Sequence, residues 1–249
     1  MKNNTSSNIQ RKDLVTGSCK SGKTTEDYSQ ICSSKAPSYL EELYKKVYNS
    51  ELEAVMMITP EEGLLLSTLV SLRAPKVVLE LGCFVGYSAL WIVEGLEYNK
   101  SNPGHLYTIE ISKEIADFAR KNIENAGKSH FVDVINSPSQ PILDSWDRSK
   151  KIDIAFLDAN KNGYIGYYNS LINNSLLADD GIIVCDNTLF HNRVSPLHKQ
   201  YNGQAIENPS SNSEHIYNFN LHVAKDNRTE QVLIPIFDGI TIIRKKKQN

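Results

Sequence analysis

Two short stretches gather the residues of this chain best suited to chemistry: Asp158-Ala159-Asn160-Lys161 and Asp186-Asn187. Each directly follows an apolar run, Ile152–Leu157 and Gly181–Cys185, that reads as a buried parallel strand. Adjacent strands lie about 4.8 Å apart. If these two pair, two carboxylates and an amide oxygen meet at the carboxyl edge of the sheet, where open α/β folds hold ligands. Three oxygen donors beside a lysine suit a hard divalent cation and metal-assisted chemistry on an oxygen. The plainer alternative makes Asp158 and Asp186 strand-end acids that cap the next turn. Crowded unpaired acids would repel, which favours an ion.

A second constellation lies upstream. Glu80-Leu81-Gly82-Cys83-Phe84-Val85-Gly86-Tyr87-Ser88 sits at a strand-to-helix turn. Glycines there let backbone approach a ligand, and the helix N-terminus beyond offers free N–H groups to an anion. The spacing is not G-x-G-x-x-G, which argues against a dinucleotide. Glu110 ends the next strand, where an acid can bond ribose hydroxyls or serve the following helix through its dipole. Residues Gly17–Thr24 match the phosphate-loop expression G-x-x-x-x-G-K-[ST]. They lack the buried strand before and the amphipathic helix after, so the match reads as a decoy. The six histidines form no zinc-type arrangement.

The elements that must position these groups are legible. Leu40, Leu43, Tyr44 and Val47 recur at helical spacing over Ser38–Tyr48. Thr59-Pro60-Glu61-Glu62 reads as N-cap, first-turn proline and capping-box glutamate of a second helix, with Leu65, Leu66, Leu69 and Val70 as its stripe. Strands are expected at Lys76–Leu81, Leu106–Ile109, Phe131–Ile135, Ile152–Leu157 and Gly181–Cys185. Helices are expected at Ser88–Glu97, after Ser112, and near Gly163–Asn173. Alternation of this kind implies βαβ units and a mainly parallel sheet. Val232–Phe237 and Ile240–Arg244, separated by Asp238-Gly239, predict a closing antiparallel hairpin. The stretch Phe190–His215 reads as a long inserted loop.

Composition sets the class. A chain of 249 residues, 40% hydrophobic and 22% charged, has ordinary globular make-up. Residues 1–36 are polar and read as a flexible arm, leaving 37–249 as one domain. A formal charge of −2 gives no basic field for nucleic acid, and Arg244-Lys245-Lys246-Lys247 reads as a solvated tail. No apolar stretch is read as a membrane span. Met1–Asp13 has no apolar core for a secretory signal and no Arg-rich transit stripe. Cys19, Cys32, Cys83 and Cys185 show no disulfide or metal spacing, so a reduced, cytoplasmic protein is expected.

Taken in order, Thr59–Gly63, Glu80–Ser88, Thr108–Glu110, Phe156–Lys161 with Tyr164, Cys185–Phe190 and Leu233–Thr241 resemble the cation-dependent class I O-methyltransferases, the group of the caffeoyl-coenzyme A and catechol enzymes. The resemblance runs from about Tyr39 to Lys245. It implies a Rossmann-like α/β fold with a mainly parallel seven-stranded sheet, an antiparallel C-terminal hairpin strand and helices on both faces. It further implies that Ile58, Glu80, Gly82, Cys83, Ser88, Glu110, Ser139, Gln140 and Asp158 line an S-adenosylmethionine pocket. Asp158, Asp186 and Asn187 would hold Mg²⁺ or another divalent cation such as Ca²⁺ or Mn²⁺. Lys161 would be the general base, with Asp158 also catalytic, and His191 would lie near a small hydroxyl substrate. A homodimer is implied too. The chain departs from the family at Asn160, where an acid is common, and at Phe190-His191-Asn192, which puts the acceptor in question. The alternatives are a nicotinamide-dependent oxidoreductase and a non-catalytic S-adenosylmethionine-binding protein. Deleting Met1–Ser33 is expected to leave the cooperative thermal melt in place; loss of that melt would show that the arm belongs to the folded body.

Overall fold

The computed structural model describes residues 25–50, 52–200 and 208–247. The phosphate-loop match at Gly17–Thr24 and the first 24 residues of the expected arm lie outside the described residues. The chain divides into two compact units, Met1–Ala54 and Val55–Asn249. The first contains helices α1 (Thr25–Cys32) and α2 (Ser38–Tyr48). Helix α2 buries Leu40, Leu43 and Val47, as its spacing requires. Within the stretch read as an arm, Thr25–Cys32 is helical, with Tyr28 and Ile31 exposed. Local backbone bonding forms it without an apolar face, so periodicity gave no sign of it.

The second unit opens with α3 (Pro60–Arg73), then runs β1 (Val77–Leu81), α4 (Tyr87–Leu96), β2 (His105–Glu110), α5 (Lys113–Asn125) and β3 (Val132–Asn136). It continues with α6 (Ser139–Ser145), β4 (Ile152–Leu157), α7 (Tyr164–Asn173), β5 (Leu177–Cys185), α8 (Ser211–Lys225), β6 (Thr229–Ile234) and β7 (Ile240–Lys245). The seven strands form one sheet in the order β3-β2-β1-β4-β5-β7-β6. Strands β1 to β5 pair in parallel, while β7 is antiparallel to both of its neighbours. The expected Rossmann-like sheet is thus present. Its strand order reverses between β1 and β4, and crossovers of the usual right hand send the helices on the two sides of that point to opposite faces. Leu79, Leu81, Ile109, Ala155, Leu157, Ile183 and Cys185 share a core with Leu143 of α6, Tyr168 and Leu171 of α7, and Phe219 and Val223 of α8. Alternate residues, such as Val78, Leu106, Ile154, Phe156 and Val184, are buried as well, and by period two they point to the other face. That is why these strands read as continuous apolar runs.

Several expectations shift. Strand β5 begins at Leu177, earlier than Gly181, because the polar Asp179-Asp180 bulge hides its start; pairing jumps from Ile152–Leu177 to Ile154–Ile182. Helix α8 occupies the end of the stretch read as loop. Ser210 Oγ accepts from Ser213 N at 3.2 Å to cap it, and Ile216, Phe219 and Val223 are its buried stripe among Asn, Ser and His. The hairpin turn is not the two-residue Asp-Gly turn. Pro235 has no N–H to pair, so β6 stops at Ile234 and five residues bridge to β7. Arg244 and Lys245 are part of β7 and not tail: Arg244 pairs with Glu230 at 2.8 Å, and Lys245 Nζ lies 2.7 Å from Leu177 O. Ala54–Arg73 is, among the described residues, the one segment long and apolar enough to cross a membrane by length and composition. Here it is a 3-10 turn followed by α3, a helix with buried Glu62, Leu66 and Val70.

Close approach of α3 and α4 depends on Gly95, where an added Cβ would lie 2.5 Å from Ser67 O and 2.6 Å from Val70 Cβ. Gly95→Ala should therefore destabilise by about 1–3 kcal/mol through overpacking, despite the better helix propensity of alanine. Leu72→Ala, on an exposed side chain, serves as the near-neutral control in urea denaturation.

Candidate active site

In register, Leu81 pairs with Leu157 and Leu157 with Cys185. The ladder carries one residue further: Asp158 N donates to Leu81 O at 2.9 Å and Asp186 N to Leu157 O at 3.0 Å. Asp158 and Asp186 therefore leave the sheet edge side by side. The convergence read from the sequence is present. Lys161 Nζ lies 3.0 Å from Asp158 Oδ1 and donates to Tyr164 OH at 3.0 Å. The Tyr164 hydroxyl, on a fully buried ring, also reaches Leu157 O at 3.0 Å and Asp186 O at 3.2 Å. It ties the ends of β4 and β5 together and seats the lysine. The spacing Lys161–Tyr164 at i, i+3 is the signal that could have found it.

A third carboxylate joins them that sequence reading had assigned only to helix capping. Glu62, in the first turn of α3, has its backbone N held by Thr59 Oγ1 at 3.2 Å, as the capping pattern predicts. Its buried carboxyl lies in hydrogen-bond reach of both the Thr59 backbone and Asp186. Burial first, then the charges of Asp186 and Asp158, push Glu62 well above the usual carboxylate range. Burial and Asp158 likewise raise Asp186, and burial raises Asp158 against the opposing pull of Lys161. Lys161 faces Asp158 in this group of acids, to which Asp238 adds its charge near Asp158.

Asn187, with φ +56°, turns its side chain so that Nδ2 donates to Asp238 Oδ2 at 2.9 Å. His191 Nδ1 is 3.9 Å from Asp238 Oδ1, and its side chain is 54% exposed. Asp238, read only as a turn residue, is thus a second group that sequence reasoning missed; nothing local marks it, since its partners are about fifty positions away. Among the described residues no three His, Cys, Asp or Glu side chains form a ready-made ligand cluster, so an oxygen such as that of Asn187 is needed to complete any ion site.

The glycine turn borders the same edge. Gly82 has φ +99°, and a Cβ there would lie 2.3 Å from Asp158 O, so only glycine lets β1 and β4 end this close. Gly82 N and Cys83 N both donate to Ile109 O at 3.0 Å. Gly86, at φ +84°, caps α4 with no side-chain bond. Ser88, in the first turn of α4, is buried beside Glu80. Burial pushes Glu80 up to about 8 against the Ser88 and Thr108 hydroxyls, and its Oε1 is buried without a hydrogen-bond partner. Thr108 Oγ1 donates to the other oxygen. Glu110 accepts from Phe84 N and from Ser112 N, each at 2.9 Å, so it serves both the turn and the start of α5. Ile58, Cys83 and Ser139 are buried, and Ser139 bonds Tyr167. Gln140 is fastened elsewhere: Nε2 donates to Asp144 Oδ1 and Ser170 Oγ, each at 2.8 Å.

Known proteins share this arrangement of elements. The profile of the O-methyltransferase family matches residues 30–246. Tricin synthase 2 of Oryza sativa subsp. japonica is 33% identical over 201 residues, 76% of this chain and 63% of that protein, so the chain spans less than two thirds of that relative. Caffeoyl-CoA O-methyltransferase of Medicago sativa is 30% identical over 202 residues, 78% of this chain and 76% of that protein. The SAH-bound methyltransferase PaMTH1 of Podospora anserina has a TM-score of 0.79 at 27% identity, covering 89% of this chain and 94% of that one. TomG of Streptomyces achromogenes, in complex with SAM, shares the fold with a TM-score of 0.74 at 23% identity, covering 88% and 95%. A matched profile over most of the chain, on a sheet whose edge gathers the same ordered motifs, places this protein in the class I S-adenosylmethionine-dependent O-methyltransferase family.

Proposed function

We propose that the protein moves the methyl group of S-adenosylmethionine to a hydroxyl of a small aromatic acceptor, a catechol-like or phenylpropanoid phenol, with a divalent cation bound at the sheet edge. One observation carries the reading. Glu62, Asp158 and Asp186 are drawn together in buried surroundings, and among the described residues Lys161, on Asp158, is the cation paired to them. Such an arrangement is strained by repulsion unless protons or a metal ion neutralise it. Glu62 Oε1 is buried with no hydrogen-bond partner, and such an orphaned oxygen suits a cation or its water. The donor set of carboxylates and an amide fits Mg²⁺, Ca²⁺ or Mn²⁺ rather than a soft metal. Asp158, Asp186 and Asn187 would hold the ion, which supplies Lewis-acid stabilisation of an oxyanion.

The rest is work for the chain itself. Lys161 Nζ, held by Asp158 and Tyr164, would serve, in its uncharged amine form beside the bound ion, as the base that receives the acceptor's hydroxyl proton, which an unperturbed phenol releases only near pH 10. The N-terminus of α4, with Ser88, suits the cofactor's carboxylate through the helix dipole. The unpartnered Glu80 Oε1 suits its ammonium, and Glu110 its ribose hydroxyls. Holding donor and acceptor at one edge removes an entropic barrier of up to about 7–11 kcal/mol. The acceptor class rests on the names of the plant relatives, and His191 beside the site is the expected contact.

Two measurements test this. Asp158→Ala should lower kcat by more than about 100-fold, beyond what loss of an outer-shell partner costs, while S-adenosylmethionine binding remains measurable by calorimetry; full activity in that variant, or in EDTA, removes the ion from the mechanism. The second follows from Glu80. Its folded-state value of about 8 exceeds the ordinary 4.5, so between those pH values the native state keeps a proton that the unfolded chain has lost. Stability should therefore fall as pH rises across that window. Glu80→Gln should flatten the slope in melts from pH 4.5 to 8 without cofactor, and an unchanged slope would show that Glu80 is not held protonated.

A further inference from the structure

Four non-glycine residues beside the proposed ion site have positive φ: Asn187 at +56°, Phe190 at +41°, His191 at +56° and Asn192 at +58°. The last three are consecutive. Left-handed backbone is disfavoured for side chains with a Cβ, and a run of it persists only where surrounding bonds over-determine it. Those bonds come from the β6–β7 connection. Thr188 N donates to Gly239 O and Leu189 N to Asp238 O, each at 2.9 Å. The Asp238 carboxylate then accepts twice, from Asn187 Nδ2 and from His191 backbone N. Its side chain is only 12% exposed, so water is a poor substitute for either bond.

The chemistry of the acceptor decides how Asn187 is turned. A carboxylate only accepts, so the amide must present its NH₂ to Asp238, which leaves its oxygen on the other side as a free donor atom. We infer that Asp238 is a positioning residue: it orients the Asn187 amide so that oxygen, not nitrogen, is offered to the cation, and it locks the left-handed loop that carries His191. This rests on the reading of Asn187 as an ion ligand and adds the device that makes it one. Outer partners of this kind hold first ligands in place throughout metal sites.

The test is calorimetric titration of MnCl₂ into the purified full-length protein, alongside amide hydrogen exchange over residues 187–194. Asp238→Asn keeps the size but can satisfy only one of the two donors; Asp238→Glu keeps the charge but moves the carboxylate. Both should weaken Mn²⁺ about 10–100-fold and speed exchange in the loop, while Glu230→Gln on the exposed face of β6 changes neither. If Asp238→Glu binds Mn²⁺ as wild type does, charge and not positioning is at work and the inference falls, whether or not Asp238→Asn folds. If wild type itself binds no Mn²⁺, the ion reading above is overturned together with the ligand half of this one. Loop exchange unchanged in both variants overturns the other half.

Discussion

Everything at the functional edge depends on how β1, β4 and β5 stop together. Parallel strands in register end at the same height, and the last ladder bonds are those that Asp158 and Asp186 themselves make to Leu81 and Leu157. Gly82 lets the chain leave β1 without striking Asp158, because a side chain there would overlap the Asp158 carbonyl. Tyr164 then closes the gap from below with one hydroxyl that meets carbonyls from both strand ends and the Lys161 ammonium. Three separate parts of the chain thus share a single small volume, and the last ladder bonds fix the backbone of both aspartates.

That rigidity explains how like charges tolerate each other. Two exposed carboxylates would turn away into water; here burial above all, with the charge of neighbouring acids added to it, raises the proton affinity of Glu62, Asp158 and Asp186. The fold carries this strain because the apolar layers on both sides of the sheet are extensive: Leu79, Leu81, Leu157, Tyr168, Leu171 and Phe219 are fully or almost fully buried. A stable frame holding an unfavourable polar centre is the usual economy of a functional site.

The first turn of α3 shows how one segment can serve two layers. Thr59 caps the helix and Pro60 starts it, which is local chemistry. The same turn aims Glu62 at Asp186, which is long-range chemistry, while Gly63 keeps the helix close to Trp91 on α4. Asp238 does the corresponding work from the opposite side, tying the C-terminal hairpin to the loop after β5. The site is therefore built from the sheet edge with one brace on either flank.

How much of this was legible in sequence follows from the range of each interaction. The runs Ile152–Leu157 and Ile183–Cys185 declare themselves because a strand buried on both faces must be apolar throughout, and the acids just beyond them mark the edge. The cap of α3 and the ending of α5 at Gly127 are likewise written in neighbouring residues. Helix α8 escaped because its polar positions outnumber its three buried anchors, and the start of β5 escaped because a bulge breaks its pattern. Glu62 and Asp238 could not be assigned at all by local pattern: each meets the site only after the chain has crossed the sheet, across more than 120 positions from Glu62 to Asp186 and about fifty from Asn187 to Asp238. Residue types and short periodicity thus determined which elements form and which groups end the strands. Only tertiary packing decided which distant carboxylates would be pressed against them, because such contacts arise from crossover topology rather than from any spacing along the chain.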